Sequence, residues 1–114
     1  MKITSPKLME YIKKNRYFAI MRNYDYKVGT IINLTDEHGE IGKAVVVAVF
    51  LNTLGFRKAT VKLSGFNDIG EWEREAMSYY EGNKRKLPRY IILCKVIELY
   101  AVEDEEIDMN IDTS

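Results

Sequence analysis

Basic and aromatic side chains stand next to one another at two places in the sequence that could bind an anionic ligand. Arg16 and Tyr17 precede a short apolar segment and Arg22 ends it, while Arg89 comes directly before a second apolar segment. Guanidinium groups bind phosphates and base edges, and aromatic rings stack on unpaired bases. This combination is typical of proteins that bind single-stranded RNA, with the arginines on phosphate or a base edge and Tyr17 as the stacking ring.

The charge distribution supports the same interpretation. The chain of 114 residues has 17 basic and 17 acidic side chains and therefore no formal net charge. Residues 1–34 nevertheless hold seven bases and two acids, residues 83–95 hold five bases and no acid, and residues 96–114 hold seven acids and no base. Such asymmetry predicts a basic face and an acidic tail, although runs of charge are also common on ordinary solvated surfaces. The second basic run adds Lys84 and Arg85 to the candidate RNA-binding residues.

The counts of cysteine and histidine exclude several other chemistries. The single cysteine, Cys94, excludes an internal disulfide, and one cysteine with one histidine are too few for a His/Cys zinc site. His38 is the only histidine that a serine or cysteine triad could use, and it lies in Asp36-Glu37-His38-Gly39, whose composition predicts a solvated turn. We therefore predict no metal and no cofactor.

Capping residues and hydrophobic periodicity predict the elements that position these side chains. Ser5 and Pro6 are typical of the start of a helix, and Asn15 is typical of its end. The predicted order is a helix over residues 5–15, strands over 17–22, 30–34 and 40–51, a helix over 67–80 and a strand over 90–100. The strand over 40–51 is apolar on both faces, so we expect it at the centre of its sheet. Residues 54–63 show no clean period.

These elements predict one α+β domain at residues 1–102, followed by an acidic C-terminal tail at residues 103–114. Because strands and helices do not alternate regularly, we expect a small, mostly antiparallel β-barrel with helices packed at the barrel openings. The longest apolar run, residues 44–51, is shorter than the roughly 18–20 residues of a membrane helix, and the first residues lack a signal-peptide core. We therefore predict no membrane partner and a cytoplasmic location.

Several segments of the chain resemble the ASCH domain of the PUA-like superfamily. They are residues 11–22 (YIKKNRYFAIMR), 27–31 (KVGTI), 42–46 (GKAVV), 65–72 (GFNDIGEW) and 87–92 (LPRYII). The likeness extends over residues 8–100. In that family a helix packs on a small β-barrel, and the cleft between them holds RNA or a nucleoside. The resemblance implies that this chain binds RNA in such a basic cleft, between the barrel and the first helix.

The resemblance also bears on catalysis. The family signature, Gly-x-Lys-x-x-Glu-x-Arg, falls on residues 15–22, where Asn15 stands at the glycine position and Arg22 keeps the arginine. Tyr17 stands at the lysine position and Ile20 at the glutamate position. Some members use these two positions to hydrolyse the amide of acetylated cytidine. A tyrosine with a pKa of about 10 is a poor substitute for the lysine, and isoleucine carries no proton, so the resemblance implies binding rather than catalysis.

Two alternatives stay open. The same cleft could belong to a nucleoside-processing enzyme or a small-ligand-binding protein, with Lys43 and Glu71 or Glu73 in the pocket, because a carboxylate there can position a base edge or transfer a proton. Glu71, Glu73 and Glu75 could equally form the charged first turn of a surface helix. The second alternative is an interaction module. In it the acidic tail lies on the basic face of its own chain or of a neighbour, in a monomer or a weak dimer.

Overall fold

The computed structural model describes residues 1–78 and 86–100. These residues belong to the α+β class, as predicted. In chain order the elements are α1 (Pro6–Lys14), β1 (Tyr17–Arg22), β2 (Ile31–Asp36), β3 (Gly39–Leu51), α2 (Leu54–Thr60), a 3₁₀ turn (Val61–Leu63), α3 (Ile69–Ser78) and β4 (Tyr90–Leu99).

Helices α1 and α3 begin at the residues whose side chains can cap them. Ser5 Oγ accepts a hydrogen bond from Leu8 N at 3.2 Å, and proline occupies the first helical position of α1. Asp68 Oδ1 accepts a hydrogen bond from Glu71 N at 2.8 Å at the start of α3. Each cap satisfies an N–H group that the first turn of a helix cannot pair internally. The predicted end of α3, near residue 80, lies outside the described residues.

The segment without a clean period forms α2 and the 3₁₀ turn. Thr53 Oγ1 accepts a hydrogen bond from Phe56 N at 3.3 Å and so caps α2. The Phe56 ring stacks on Phe50 of β3, with 4.6 Å between the ring centres. This short helix therefore depends on tertiary contacts rather than on an amphipathic period of its own.

The four strands form one antiparallel sheet in the order β1-β4-β3-β2. β3 lies inside the sheet, which confirms the expectation from its apolar composition. A two-residue turn joins β2 to β3, and in it Asp36 Oδ1 accepts a hydrogen bond from the exposed His38 N at 2.7 Å. The pairing of β3 with β4 skips Ile97 on one strand and Val47 on the other. Such bulges bend long strands and change the local twist.

Both faces of the sheet carry an apolar core. The core on the α1 side contains Leu8, Ile12, Phe18, Ile20, Ile32, Leu34, Ala44, Val46, Ile92 and Cys94. The core on the α3 side contains Ala19, Met21, Phe66, Trp72, Ala76 and Ile91. Because successive side chains of a strand point to opposite faces, strands that are apolar at consecutive positions need a covering layer on each side.

The described strands do not close into the predicted barrel. Within residues 1–78 and 86–100, β1 and β2 are the opposite edges of the sheet, and the helices pack on its two faces instead of at barrel openings. The physical reason is that helices, rather than the far side of a barrel, bury the second face of β1 and β4. The N-terminal residues cover part of the β2 edge, since Ile3 N donates to Thr35 O at 2.8 Å and Thr35 N donates to Met1 O at 2.9 Å.

Cys94 is a structural side chain of the α1-side core. It is fully buried on β4, and this burial raises the pKa of its thiol to about 12, although the charge of Arg22 acts in the opposite direction. The thiol is therefore neutral at physiological pH and packs as a small apolar group.

Gly65 allows the turn before α3 to touch the first turn of α1. Its φ is +87°, and a Cβ atom added there would lie 2.7 Å from Lys7 O. We predict that Gly65→Ala lowers the free energy of unfolding by about 1–3 kcal/mol, because both the backbone conformation and the contact oppose a side chain. Urea denaturation monitored by tryptophan fluorescence measures the change.

The control for this substitution is Gly55→Ala in α2, where the nearest atom is 4.0 Å from the added Cβ. We expect it to be neutral or to stabilise the protein by up to about 1 kcal/mol, because alanine favours the helix. Equal losses of stability in the two variants would contradict the role given to Gly65.

Candidate nucleic-acid interface

Half of the sheet face opposite α1 is left uncovered by the helices that the structure describes. Tyr17, Lys95, Val45 and Ile31 are direct neighbours across the four strands and share this face. Tyr17 is 42% exposed and Ile31 is 63% exposed, while the two side chains between them are half-buried. The next row on the same face consists of Asn33, Lys43 and Glu98. We call these two rows the open half-sheet.

The position of α3 explains why only half of this face is covered. Trp72 of α3 packs over Ala19 and Ile91, which lie toward one end of β1 and β4. Further along the same two strands, the face continues with Tyr17 and Lys95, whose polar groups can stay in water. The covering helices therefore lie over the apolar half of the face, and the polar half remains accessible.

The exposed aromatic ring of the open half-sheet has a cation beside it. The Lys95 ammonium lies 5.9 Å from the centre of the Tyr17 ring, within the range of a cation–π attraction worth about 0.5–1 kcal/mol at an exposed site. Arg16 is also exposed, and its carbonyl accepts a hydrogen bond from Val96 N at 2.7 Å, which extends the strand pairing one residue beyond β1. An exposed ring with cations next to it is the usual arrangement for binding single-stranded nucleic acid.

The two arginines predicted to flank β1 lie at its opposite ends. Arg16 and Arg22 are six residues apart, so about 20 Å of extended strand separates them. They do not line one hollow. Arg16 precedes Tyr17 at the end of β1 next to the open half-sheet, with its side chain toward the α1 side, whereas Arg22 lies at the other end of the strand.

Arg89 lies at the same end of the sheet as Arg22. Its main-chain N donates a hydrogen bond to Asn23 Oδ1 at 2.9 Å, and Asn23 directly follows Arg22. The structure thus brings together one arginine from each of the two predicted basic segments. Lys84 and Arg85, the other two residues predicted from the second segment, lie outside the described residues.

A cleft between α1 and α3 opens along the edge of β1 near Arg22. Its cavity volume is about 30 Å³, room for only a few water-sized groups, and most of its lining is apolar, with Trp72 as the largest side chain. Arg22 and Glu75 line it as charged residues. Arg22 is oriented by two hydrogen bonds, from Nη1 to Met21 O at 2.8 Å and from Nη2 to Lys2 O at 2.7 Å. The cleft is therefore an apolar pocket with one oriented guanidinium and one carboxylate, not a basic groove.

The three residues predicted for a ligand pocket lie elsewhere. Lys43 belongs to the open half-sheet, between Asn33 and Glu98. Glu71 forms an ion pair with Lys7 at 3.3 Å in an open groove that adjoins the cleft. Glu73 forms an ion pair with a residue of α2, described next.

Glu73 belongs to a polar network that ties α3 to the rest of the fold. Its Oε2 atom lies 2.9 Å from Arg57 Nε, whose N–H does not point at the carboxylate, so the contact is an ion pair rather than a hydrogen bond. Arg57 Nη1 donates to Asn52 Oδ1 at 2.7 Å, and Asn52 Nδ2 donates to Pro88 O at 2.8 Å. This connection of α3, α2, β3 and the segment before β4 gives Glu73 a structural role.

Glu75 is the carboxylate of the cleft that sequence reasoning missed. The signal was present in the helical period, because Glu75 follows the buried Trp72 by three residues and precedes the buried Ala76. Those two neighbours place Glu75 at the border of the buried side of α3. The acidic residue type alone does not distinguish Glu75, which lines the cleft, from Glu71 and Glu73, which do not.

In the part of the chain that the structure describes, no group of three or more His, Cys, Asp or Glu side chains is arranged to hold a metal ion. None of the helices in residues 1–78 and 86–100 combines the length and the apolar character that a membrane span requires.

No protein-family model, curated protein or solved structure matches the chain.

We predict that Glu73→Ala lowers the free energy of unfolding by about 1–3 kcal/mol, because it removes the carboxylate from a largely buried Arg57. Glu71→Ala is the matched control, since its partner Lys7 is half exposed and such pairs contribute at most about 1 kcal/mol. Urea denaturation of both variants measures the difference. A smaller loss for Glu73→Ala than for Glu71→Ala would contradict the structural role of Glu73.

Proposed function

We propose that this protein binds single-stranded RNA on the open half-sheet. The observation that carries the proposal is the exposed ring of Tyr17, which lies beside Lys95 on a sheet face that the described helices leave uncovered. A strand presents its side chains nearly perpendicular to the sheet, so an unpaired base can approach this face and stack on the ring. Stacking contributes roughly 1–3 kcal/mol per base and tolerates any base sequence.

The cations around the ring supply contacts to the backbone of the RNA. Lys95 lies in the same row as Tyr17, Lys43 lies in the next row, and Arg16 precedes Tyr17 at the end of β1. The two rows are about 7 Å apart, because side chains on one face recur every second residue. An RNA strand that crosses the sheet therefore meets a cation in each row, while Val45 and Ile31 offer apolar surface to the bases.

We also propose that the fold is an opened relative of the PUA-like barrel. The order of elements supports this, with a helix, three strands, a helical segment and a final strand, and so does the packing of α1 against the sheet. In this relationship the α1–α3 cleft corresponds to the family's ligand cleft. Its apolar lining makes it a poor site for an RNA backbone, so we assign RNA to the open half-sheet instead.

We expect Tyr17→Ala to weaken the binding of an unstructured, fluorescein-labelled single-stranded RNA of twelve nucleotides by about tenfold, the loss that one stacked base predicts. Tyr17→Phe keeps the aromatic face and should bind within about twofold of the original protein. Fluorescence anisotropy titrations at low and moderate salt measure both affinities, and binding should weaken as salt rises because phosphate contacts release counterions.

The matched control is Tyr24→Ala, which removes a tyrosine that is 67% exposed but lies in the loop after β1. Its affinity should be unchanged. Absence of saturable binding, binding without salt dependence, or an equal loss in Tyr17→Ala and Tyr24→Ala would each refute the proposal.

A second candidate function is the binding of a nucleoside through one edge of its base, the part small enough to enter the α1–α3 cleft. The observation that favours it is the meeting of Trp72, Arg22 and Glu75 around one small apolar pocket. An aromatic side chain can contact a base, while an oriented guanidinium and a carboxylate can pair with its polar edge. This function does not compete with RNA binding, because the open half-sheet begins at the other end of β1.

We predict that cytidine or acetylated cytidine changes the fluorescence of Trp72, the only tryptophan in the chain, with a saturable dependence on concentration. Glu75→Gln should weaken this binding about tenfold, because a hydrogen bond to a charged group contributes about 1.5–3 kcal/mol. Glu71→Gln is the control and should bind normally. A fluorescence change that does not saturate, or one that Glu75→Gln leaves intact, would rule out this ligand site.

A further inference from the structure

We propose that the groove between the C-terminal ends of α1 and β4 binds the acidic segment at residues 103–112 of the same chain. We call it the α1–β4 groove, and its principal lining residues are Lys13, Lys14, Arg16, Val96, Ile97 and Leu99. The contact itself is independent of the proposed function. Its consequence for RNA, given below, rests on that function.

One wall of the α1–β4 groove is basic. Lys13 and Lys14 occupy the last turn of α1, Arg16 follows that helix, and all three side chains are exposed. Lys13 lies 3.8 Å from Glu10, but both side chains are at least half exposed, so this pair contributes little. Among the described lining residues, Glu98 is the acidic one, so the groove presents an excess of positive charge.

The other wall is apolar. The pairing of β4 with β3 skips Ile97, and at this bulge the Ile97 side chain is 51% exposed. Val96 and Leu99 continue the same wall. A segment that fits both walls carries several acidic side chains together with aliphatic ones.

Residues 103–112 (EDEEIDMNID) have this composition. They contain six acids and no base, and Ile107, Met109 and Ile111 occupy alternate positions. Alternation with a period of two is typical of an extended segment with one apolar side. The charge and the apolar pattern of the segment are therefore complementary to the two walls of the groove.

The chain leaves the sheet beside the groove. Tyr100 is held there by two hydrogen bonds, from its main-chain N to Ile41 O at 2.9 Å and from its hydroxyl to Glu40 Oε2 at 2.6 Å. Leu99 lines the groove, and Glu103 follows it by four residues, at most about 14 Å of extended chain. Such a short connection gives the segment a high effective concentration at the groove, which favours it over a separate acidic protein.

Occupation of the groove affects RNA binding through Arg16. This residue lines the groove on the α1 side and directly precedes Tyr17, so it stands at the end of β1 between the groove and the open half-sheet. Acidic side chains beside it neutralise a cation that the RNA backbone requires and repel the phosphates. The acidic segment thus acts as a competitor of RNA within the same molecule.

Crosslinking of the full chain with a carbodiimide tests the contact without RNA. The reagent joins a lysine amine to a carboxylate as an amide, with loss of water, so only groups in direct contact react efficiently. We expect mass spectrometry of the monomer to show crosslinks from residues 103–112 to Lys13 and Lys14. Lys58 and Lys62 are the internal controls, because they are exposed lysines on the α2 side of the molecule.

Crosslinks distributed equally over the four lysines would overturn the proposal, and so would crosslinks found only in a dimer, because they would assign the groove to a neighbouring copy. Failure of the RNA titrations leaves this crosslinking result unaffected, so the two ideas fail separately.

Neutralising the segment in the full chain tests its effect on RNA. The variant E103Q/D104N/E105Q/E106Q should lose the crosslinks to Lys13 and Lys14 and bind the twelve-nucleotide RNA about five- to tenfold more tightly. A variant that binds RNA with unchanged affinity, while Tyr17→Ala still weakens binding, would overturn the competition and leave the RNA site in place.

Discussion

The alternation of side chains across β1 and β4 is the constraint on which the rest of the structure depends. Both strands are apolar at consecutive positions, so they present apolar surface to both sides of the sheet. A strand of this kind is stable only with a layer on each face. Helix α1 supplies one layer, and α3 with the Ser64-Gly65-Phe66 turn supplies the other, where Gly65 lets the turn approach α1 closely.

Within residues 1–78 and 86–100, the second layer covers only part of the sheet, and this difference creates the candidate interface. Trp72 and its neighbours cover the apolar half of the face, and the strands continue beyond them with Tyr17, Lys95 and Lys43. The antiparallel register then decides which side chains meet. A shift of one residue would turn Tyr17 toward the α1-side core and remove the ring from the surface. The interface is therefore a consequence of strand register and of the position of Trp72 over one end of the strands together.

The basic residues have different tasks that their type does not reveal. Arg57 is a structural cation that joins α2 to Glu73 of α3, whereas Arg22 is held by main-chain carbonyls at the edge of β1. Lys95 is half-buried beside the exposed ring of Tyr17, and Arg16 is exposed at the end of the same strand. Burial and partners distinguish these roles: an arginine that completes a network stabilises the fold, and a solvated cation beside an aromatic ring is available to a ligand.

Local signals in the sequence were sufficient for much of the fold. The cap at Ser5, the strand over residues 17–22 and the central position of the long strand all follow from interactions between near neighbours or from hydrophobic periodicity. The chemistry of the candidate residues also follows from their types, as does the exclusion of an internal disulfide.

Tertiary structure alone decided which of those residues lie together. Arg16 and Arg22 are close in sequence but about 20 Å apart along an extended strand, whereas Tyr17 and Lys95 are distant in sequence and adjacent in the sheet. Packing between distant segments also decides that the described strands form an open sheet rather than a barrel. It likewise decides that Glu75, and not Glu73, lines the α1–α3 cleft. Pairing and packing between distant segments depend on which surfaces fit together and which apolar faces remain to be covered. A local pattern of residues cannot predict these two properties.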